Sequence, residues 1–175
     1  MHRCCALSCC LAGVCVFPLP ALAGKPTAHV HGAASLQVAI DGNTLTLHIE
    51  SPLESLLGFE HAPRTDKQKA AVRALSERLN QAGDLFMPSP AARCAPVSVK
   101  LDSPALQAGK QPTGDGHADL DGEFVFRCEN PEALRDLEVA IFPSFPNLRR
   151  LDVQVAGPRG QSAATLSPQQ RRIAW

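Results

Sequence analysis

Ser35-Leu36-Gln37-Val38-Ala39-Ile40-Asp41-Gly42-Asn43-Thr44-Leu45-Thr46-Leu47-His48-Ile49-Glu50 decides the fold class. Leu36, Val38 and Ile40 alternate with small or polar residues, and Leu45, Leu47 and Ile49 do the same. A period of two marks a strand with one buried face. Asp41-Gly42 between the runs is a strong hairpin-turn signal. With Asp41-Gly42 as a two-residue turn, Ile40 faces Asn43, Val38 faces Leu45, Leu36 faces Leu47 and Ala34 faces Ile49. Apolar positions then fall opposite apolar ones, so pattern and turn agree.

Toward the C-terminus, Ser51-Pro52-Leu53-Glu54 places a capping serine, a proline at N1 and a glutamate at N3, which predicts a short helical turn ending near Gly58. Thr65-Asp66-Lys67-Gln68 is a second capping box. It opens a long helix running from Asp66 to about Ala82, with Val72, Leu75, Leu79 and Ala82 as its apolar stripe and Gly83 just beyond its end. Further strands are expected at 97–101, 123–128, 137–141, 151–155 and 161–166, the last two joined by Gly157-Pro158-Arg159-Gly160. Residues 103–121 form a polar loop, and Asn130-Pro131 starts another short helix. The expected fold is α+β: an antiparallel sheet of about seven strands covered by one long helix.

Residues 1–23 stand apart. Arg3 precedes an uninterrupted apolar run from Cys4 to Phe17, shorter than the ~20 residues of a membrane span. Pro18 and Pro20 break the run, and Ala21-Leu22-Ala23 supplies the small residues of a signal-peptidase site. Residues 1–23 are therefore read as a cleavable signal peptide, 24–175 as a single exported domain, and no later segment as a membrane span. A lipid-anchored cysteine fits less well, since Val14 precedes Cys15 and the run before Cys9 is short. Five of the seven cysteines fall within the signal, leaving Cys94 and Cys128, which an oxidising compartment would join.

The 175 residues carry 17 basic and 17 acidic side chains, so no basic excess points to nucleic acid. Aromatics are 5% of the chain, too few for a stacking platform. Motifs of zinc proteases, serine hydrolases and phosphate-binding loops are absent from the sequence.

Chemistry concentrates at histidines. In Ala28-His29-Val30-His31-Gly32, an extended backbone would put both imidazoles on one side with Cα atoms ~6.5 Å apart, able to meet one borderline cation. Two solvent-facing polar residues would give the same pattern. His61 follows Glu60 between two helical segments, where the end of a helix dipole favours a cation. His117 lies among Asp115, Asp119 and Asp121. His48 faces Ser35 in the hairpin register, ~13 Å along the strand from His31, and reads as a surface residue.

These landmarks add up to a resemblance. His29-Val30-His31-Gly32, Leu56-Leu57-Gly58-Phe59-Glu60-His61-Ala62-Pro63, the helix after Thr65, the Cys94 and Cys128 pair, Phe126-Arg127-Cys128-Glu129-Asn130-Pro131, residues 142–148, Val153-Gln154-Val155, Gln161-Ser162-Ala163 and Trp175 resemble the ZrgA-like periplasmic zinc-uptake proteins. The resemblance implies a non-catalytic, periplasmic zinc binder of Gram-negative bacteria that assists a zinc ABC importer or its substrate-binding protein. It carries zinc ligation onto His29, His31 and His61. With His117, Glu60 and Asp119 these form the expected ligand set, which would also take Cu2+ or Ni2+ in vitro. Members often carry a long His- and Asp-rich loop between the two cysteines. This chain keeps only His117 there, which implies one modest site. Two other readings remain at this level: an envelope interaction module with incidental histidines, and a zinc hydrolase using Glu60 as base.

Overall fold

The computed structural model describes residues 30–107 and 118–175. Nine strands form two sheets: β1 (Ala33–Asp41), β2 (Thr44–Pro52), β3 (Phe86–Pro88), β4 (Cys94–Asp102), β5 (Asp119–Cys128), β6 (Asp136–Val139), β7 (Arg150–Gly157), β8 (Gly160–Leu166) and β9 (Arg172–Ala174). The larger sheet has the order β4-β5-β2-β1-β7-β8, and the smaller β3-β6-β9. Helices α1 (Leu53–Leu57), α2 (Asp66–Leu79) and α3 (Ala82–Leu85) follow the first hairpin.

This corrects the expectation of one long helix over about seven antiparallel strands. Two three-residue strands, β3 and β9, are too short to show a period. The helix expected to reach Ala82 stops at Leu79. Gly83 lies inside α3 rather than terminating α2. The larger sheet is mixed, because β1 pairs in parallel with β7. The second capping box forms as expected: Thr65 Oγ1 accepts the Gln68 N–H and the Gln68 side chain accepts the Thr65 N–H. At α1, Pro52 rather than Ser51 holds the cap position, without a side-chain hydrogen bond.

The first hairpin is present but its register is shifted. Asp41 pairs with Thr44, Val38 with Leu47 and Leu36 with Ile49, so Gly42-Asn43 is the turn. Gly42 has φ +55° and Asn43 does not have a positive φ, the type II′ pattern with glycine first. A two-residue slip keeps every apolar side chain on the same face, so hydrophobic pattern alone does not exclude it. His48 therefore pairs with Gln37, not Ser35.

The inner face of the larger sheet buries Leu36, Val38, Leu45, Leu47, Ile49, Phe124, Phe126, Leu151 and Val153 in one core with Leu75 and Leu79 of α2 and Phe86, Leu137 and Ile173 of the smaller sheet. The outer face carries the polar residues of the alternation. Cys94 and Cys128 lie opposite each other on β4 and β5 and form a disulfide with an S–S distance of 2.03 Å. That bond indicates a non-reducing compartment. Among the described residues, no helix is long and apolar enough to cross a membrane.

Candidate metal centre

His31 is placed by a turn. The Ala33 N–H donates to the Val30 carbonyl at 3.1 Å, and Gly32, third of the four residues, has φ +77°. That is the type II arrangement, which needs glycine at this position. The reversal follows His31, which as second residue of the turn keeps an extended backbone. A positive φ at Gly32 turns the chain before β1 begins. His29 lies outside the described residues, as do Asp115 and His117.

The turn is fixed to α1 and to the approach to β7. The Gly32 N–H donates to Ser55 Oγ at 3.0 Å, and the fully buried Ser55 hydroxyl donates onward to the Ala33 carbonyl at 3.3 Å. The Gly32 carbonyl accepts from the N–H groups of Arg149 and Arg150 at 2.8 and 3.0 Å. Helix α1 ends at Gly58, φ +79°, whose N–H closes on the Glu54 carbonyl. Asn147 stands behind both glycines: an added Cβ would meet its carbonyl oxygen at 3.2 Å from Gly32 and its side-chain nitrogen at 3.3 Å from Gly58. The two turns that carry His31 and Phe59-Glu60-His61 thus back onto one residue.

Gly32→Ala tests this packing. A left-handed conformation costs a non-glycine residue ~1–2 kcal/mol, and the contact with the Asn147 carbonyl adds to it. The variant is expected to lose about 2 kcal/mol in a urea melt. Unchanged stability would show that the turn is not held as described.

The His31 ring stands between two carboxylates. Its Nδ1 lies 3.9 Å from Glu54 Oε2 and its Nε2 lies 3.8 Å from Glu60 Oε1. Glu60 is mostly buried, whereas His31 is largely exposed. These separations exceed a hydrogen bond. They are close to the ~3.4 Å between two ligands of one tetrahedral zinc with bonds of ~2.0–2.1 Å. One imidazole cannot turn both nitrogens to one ion. Nε2 and Glu60 form the pair able to share it, and Glu54 is placed to orient the ring through Nδ1, as carboxylates behind zinc-bound histidines do. Glu54 escapes a reading of the sequence, where it serves only as the N3 acid of a helix. It comes within reach of the His31 ring once that turn is docked on α1.

His61 Nδ1 lies 2.8 Å from the Ala62 carbonyl. A carbonyl only accepts, so Nδ1 carries the proton and the neutral ring keeps its Nε2 lone pair for a ligand. Phe59 stacks on the ring at 5.3 Å, fixing its plane. The structure thus brings together His31, Glu60 and, unanticipated, Glu54, with His61 next in the chain to Glu60. Asp119 opens β5 opposite Pro52, the residue before α1, with its side chain exposed. His48 lies on the outer face of the sheet, half exposed.

No curated protein matches the chain in sequence. Residues 28–175 match the family described as ZrgA family zinc uptake protein. That match spans both turns, the disulfide and all nine strands, and the chain belongs to the ZrgA family of zinc uptake proteins.

Proposed function

We propose that the protein binds zinc in the periplasm of a Gram-negative cell, without catalysis, and presents it to an ABC importer or that importer's substrate-binding protein. Residues 1–23 serve as its cleaved signal peptide and 24–175 as the exported zinc-binding domain. Zinc is held mainly by the imidazoles of His29, His31, His61 and His117, with Glu60 and Asp119 as carboxylate donors. The observation that supports this reading is the His31 ring set between Glu54 and Glu60, 3.9 and 3.8 Å away, on a turn that glycine and a buried serine hold in place. Both cysteines are taken up by the disulfide, which leaves no thiolate for the metal. Imidazole and carboxylate donors release zinc more readily than thiolates, which suits cargo that is passed on.

The test is a zinc titration across pH, in competition with a chelator of known pH dependence. A ligand imidazole must be neutral to coordinate, and imidazoles ordinarily titrate near pH ~6.5. Affinity is expected to be flat near pH ~8 and to fall steeply below about pH 6.5. A carboxylate-only site would hold its affinity to about pH 5. A flat curve from pH ~7.5 to ~5.5 would therefore reject imidazole ligation.

A further inference from the structure

On the outer face of the larger sheet, away from the helices, we infer a second divalent-cation site made by His48, Glu50 and Asp121. His48 and Glu50 are two apart on β2, so both point outward, and Asp121 on β5 pairs directly with Glu50. His48 Nδ1 lies 3.8 Å from Glu50 Oε1, and His48 Nε2 lies 3.9 Å from Asp121 Oδ1. One ligand atom from each of the three residues can be chosen so that all lie within 4.8 Å of one another. Only one His48 nitrogen can face the ion, so the 4.8 Å spread of one atom per residue describes the site. Tetrahedral zinc with bonds of ~2.0–2.2 Å sets its ligands ~3.4 Å apart, and rotation of the exposed Glu50 and Asp121 side chains closes the difference. Three protein ligands would leave a fourth position for water.

The strand register supplies an independent reason for a cation here. Asp102 on β4, Asp121 on β5 and Glu50 on β2 stand directly opposite one another across three adjacent strands. Like charges in opposed positions weaken a sheet. The neighbouring row shows how such a conflict is ordinarily relieved: Lys100 meets Glu123 at 2.8 Å and holds its carboxyl below the usual range, by hydrogen bond first and then by charge. In the acidic row, Asp102 takes the Gln107 amide. Among the described residues, Glu50 and Asp121 have no partner at ion-pair distance other than His48. One imidazole cannot balance two carboxylates, and a divalent ion can. The donor set, one nitrogen with two carboxylates, suits a borderline cation such as Zn2+ better than Mg2+, which is bound by oxygen alone. His48 also lines an open groove of about 630 Å3 with Gln37, Thr46 and Gln154, so an ion reaches the site from solvent without any opening motion.

This inference stands apart from the ligand set centred on His31, since the two share no residue. The experiment is a Zn2+ titration of the mature chain, 24–175, with the His48 ring followed by NMR and Mg2+ in excess. Wild-type protein is expected to bind a second Zn2+ more weakly than the first, shifting the His48 ring signals. His48→Ala, at a half-exposed position, and Asp121→Asn, at an exposed one, should weaken that second event at least tenfold and leave the first unchanged. His31→Ala should weaken only the first. A His48 ring that does not respond to Zn2+, or a His48→Ala variant that still binds the second ion as tightly, would overturn the site. A second event that survives while His31→Ala changes nothing would keep this site and reject the His31 assignment.

Discussion

Zinc affinity is expected to drop at least tenfold in His31→Ala, the largest change we expect from a single ligand variant. The ring is a direct donor, and losing even a residue that orients a ligand costs metal affinity roughly ten- to a hundredfold. Glu54→Gln should reproduce part of the loss, because a neutral amide still meets Nδ1 but no longer raises the basicity of the ring. His61→Ala should match His31→Ala if its Nε2 faces the same ion. Competition against a chromophoric chelator at about pH 7.5, well above the imidazole range, reads all three. If His31→Ala binds zinc as wild type does, the pairing of His31 Nε2 with Glu60 is not the site.

Removing the disulfide should give the largest change in stability. Cys94 and Cys128 close a segment of sequence separation 34. Cross-linking a loop of that size removes about 4 kcal/mol of chain entropy from the unfolded state. For a domain of this length that corresponds to a fall of roughly 8–15 °C in Tm. The paired substitution Cys94→Ala/Cys128→Ala, followed by calorimetry beside the parent with and without reductant, checks it. The reduced parent should melt with the double variant. Alkylation of the unreduced exported protein should modify neither residue, and two reactive thiols would refute the bond.

The parts of this fold that were legible in the sequence are those written in local signals. Thr65 and Gln68 announce α2 because a capping box is built from residues three apart. Gly157 to Gly160 announce the last hairpin for the same reason, and Gly157 pairs with Gly160 as that turn requires. The hairpin from Ser35 to Glu50 was legible as a hairpin but not in register, since a period of two is blind to a slip of two. The parallel pairing of β1 with β7 leaves no turn between the strands to read. Legibility of the candidate site divides along the same line. His31, Glu60 and His61 stand in short motifs. Glu54 enters only because a buried Ser55 hydroxyl and the Gly32 turn bring β1 to the start of α1. The row of Asp102, Asp121 and Glu50 exists only in the register of three strands, and no segment of sequence displays it.

The pairing of β1 with β7 also sets an order of events during folding. As the chain is made, β1 and β2 can close their hairpin early, but the other edge of β1 stays open until Arg150–Gly157 has been synthesised. Leu36 waits for Val153 and Val38 for Val155, contacts that span most of the domain. Contacts so distant in sequence slow folding, and an unpaired edge beside an apolar face invites association with other chains. A nascent form of this protein held at its C-terminal third therefore has every residue of the His31 turn and no β7 to hold Gly32 from the far side.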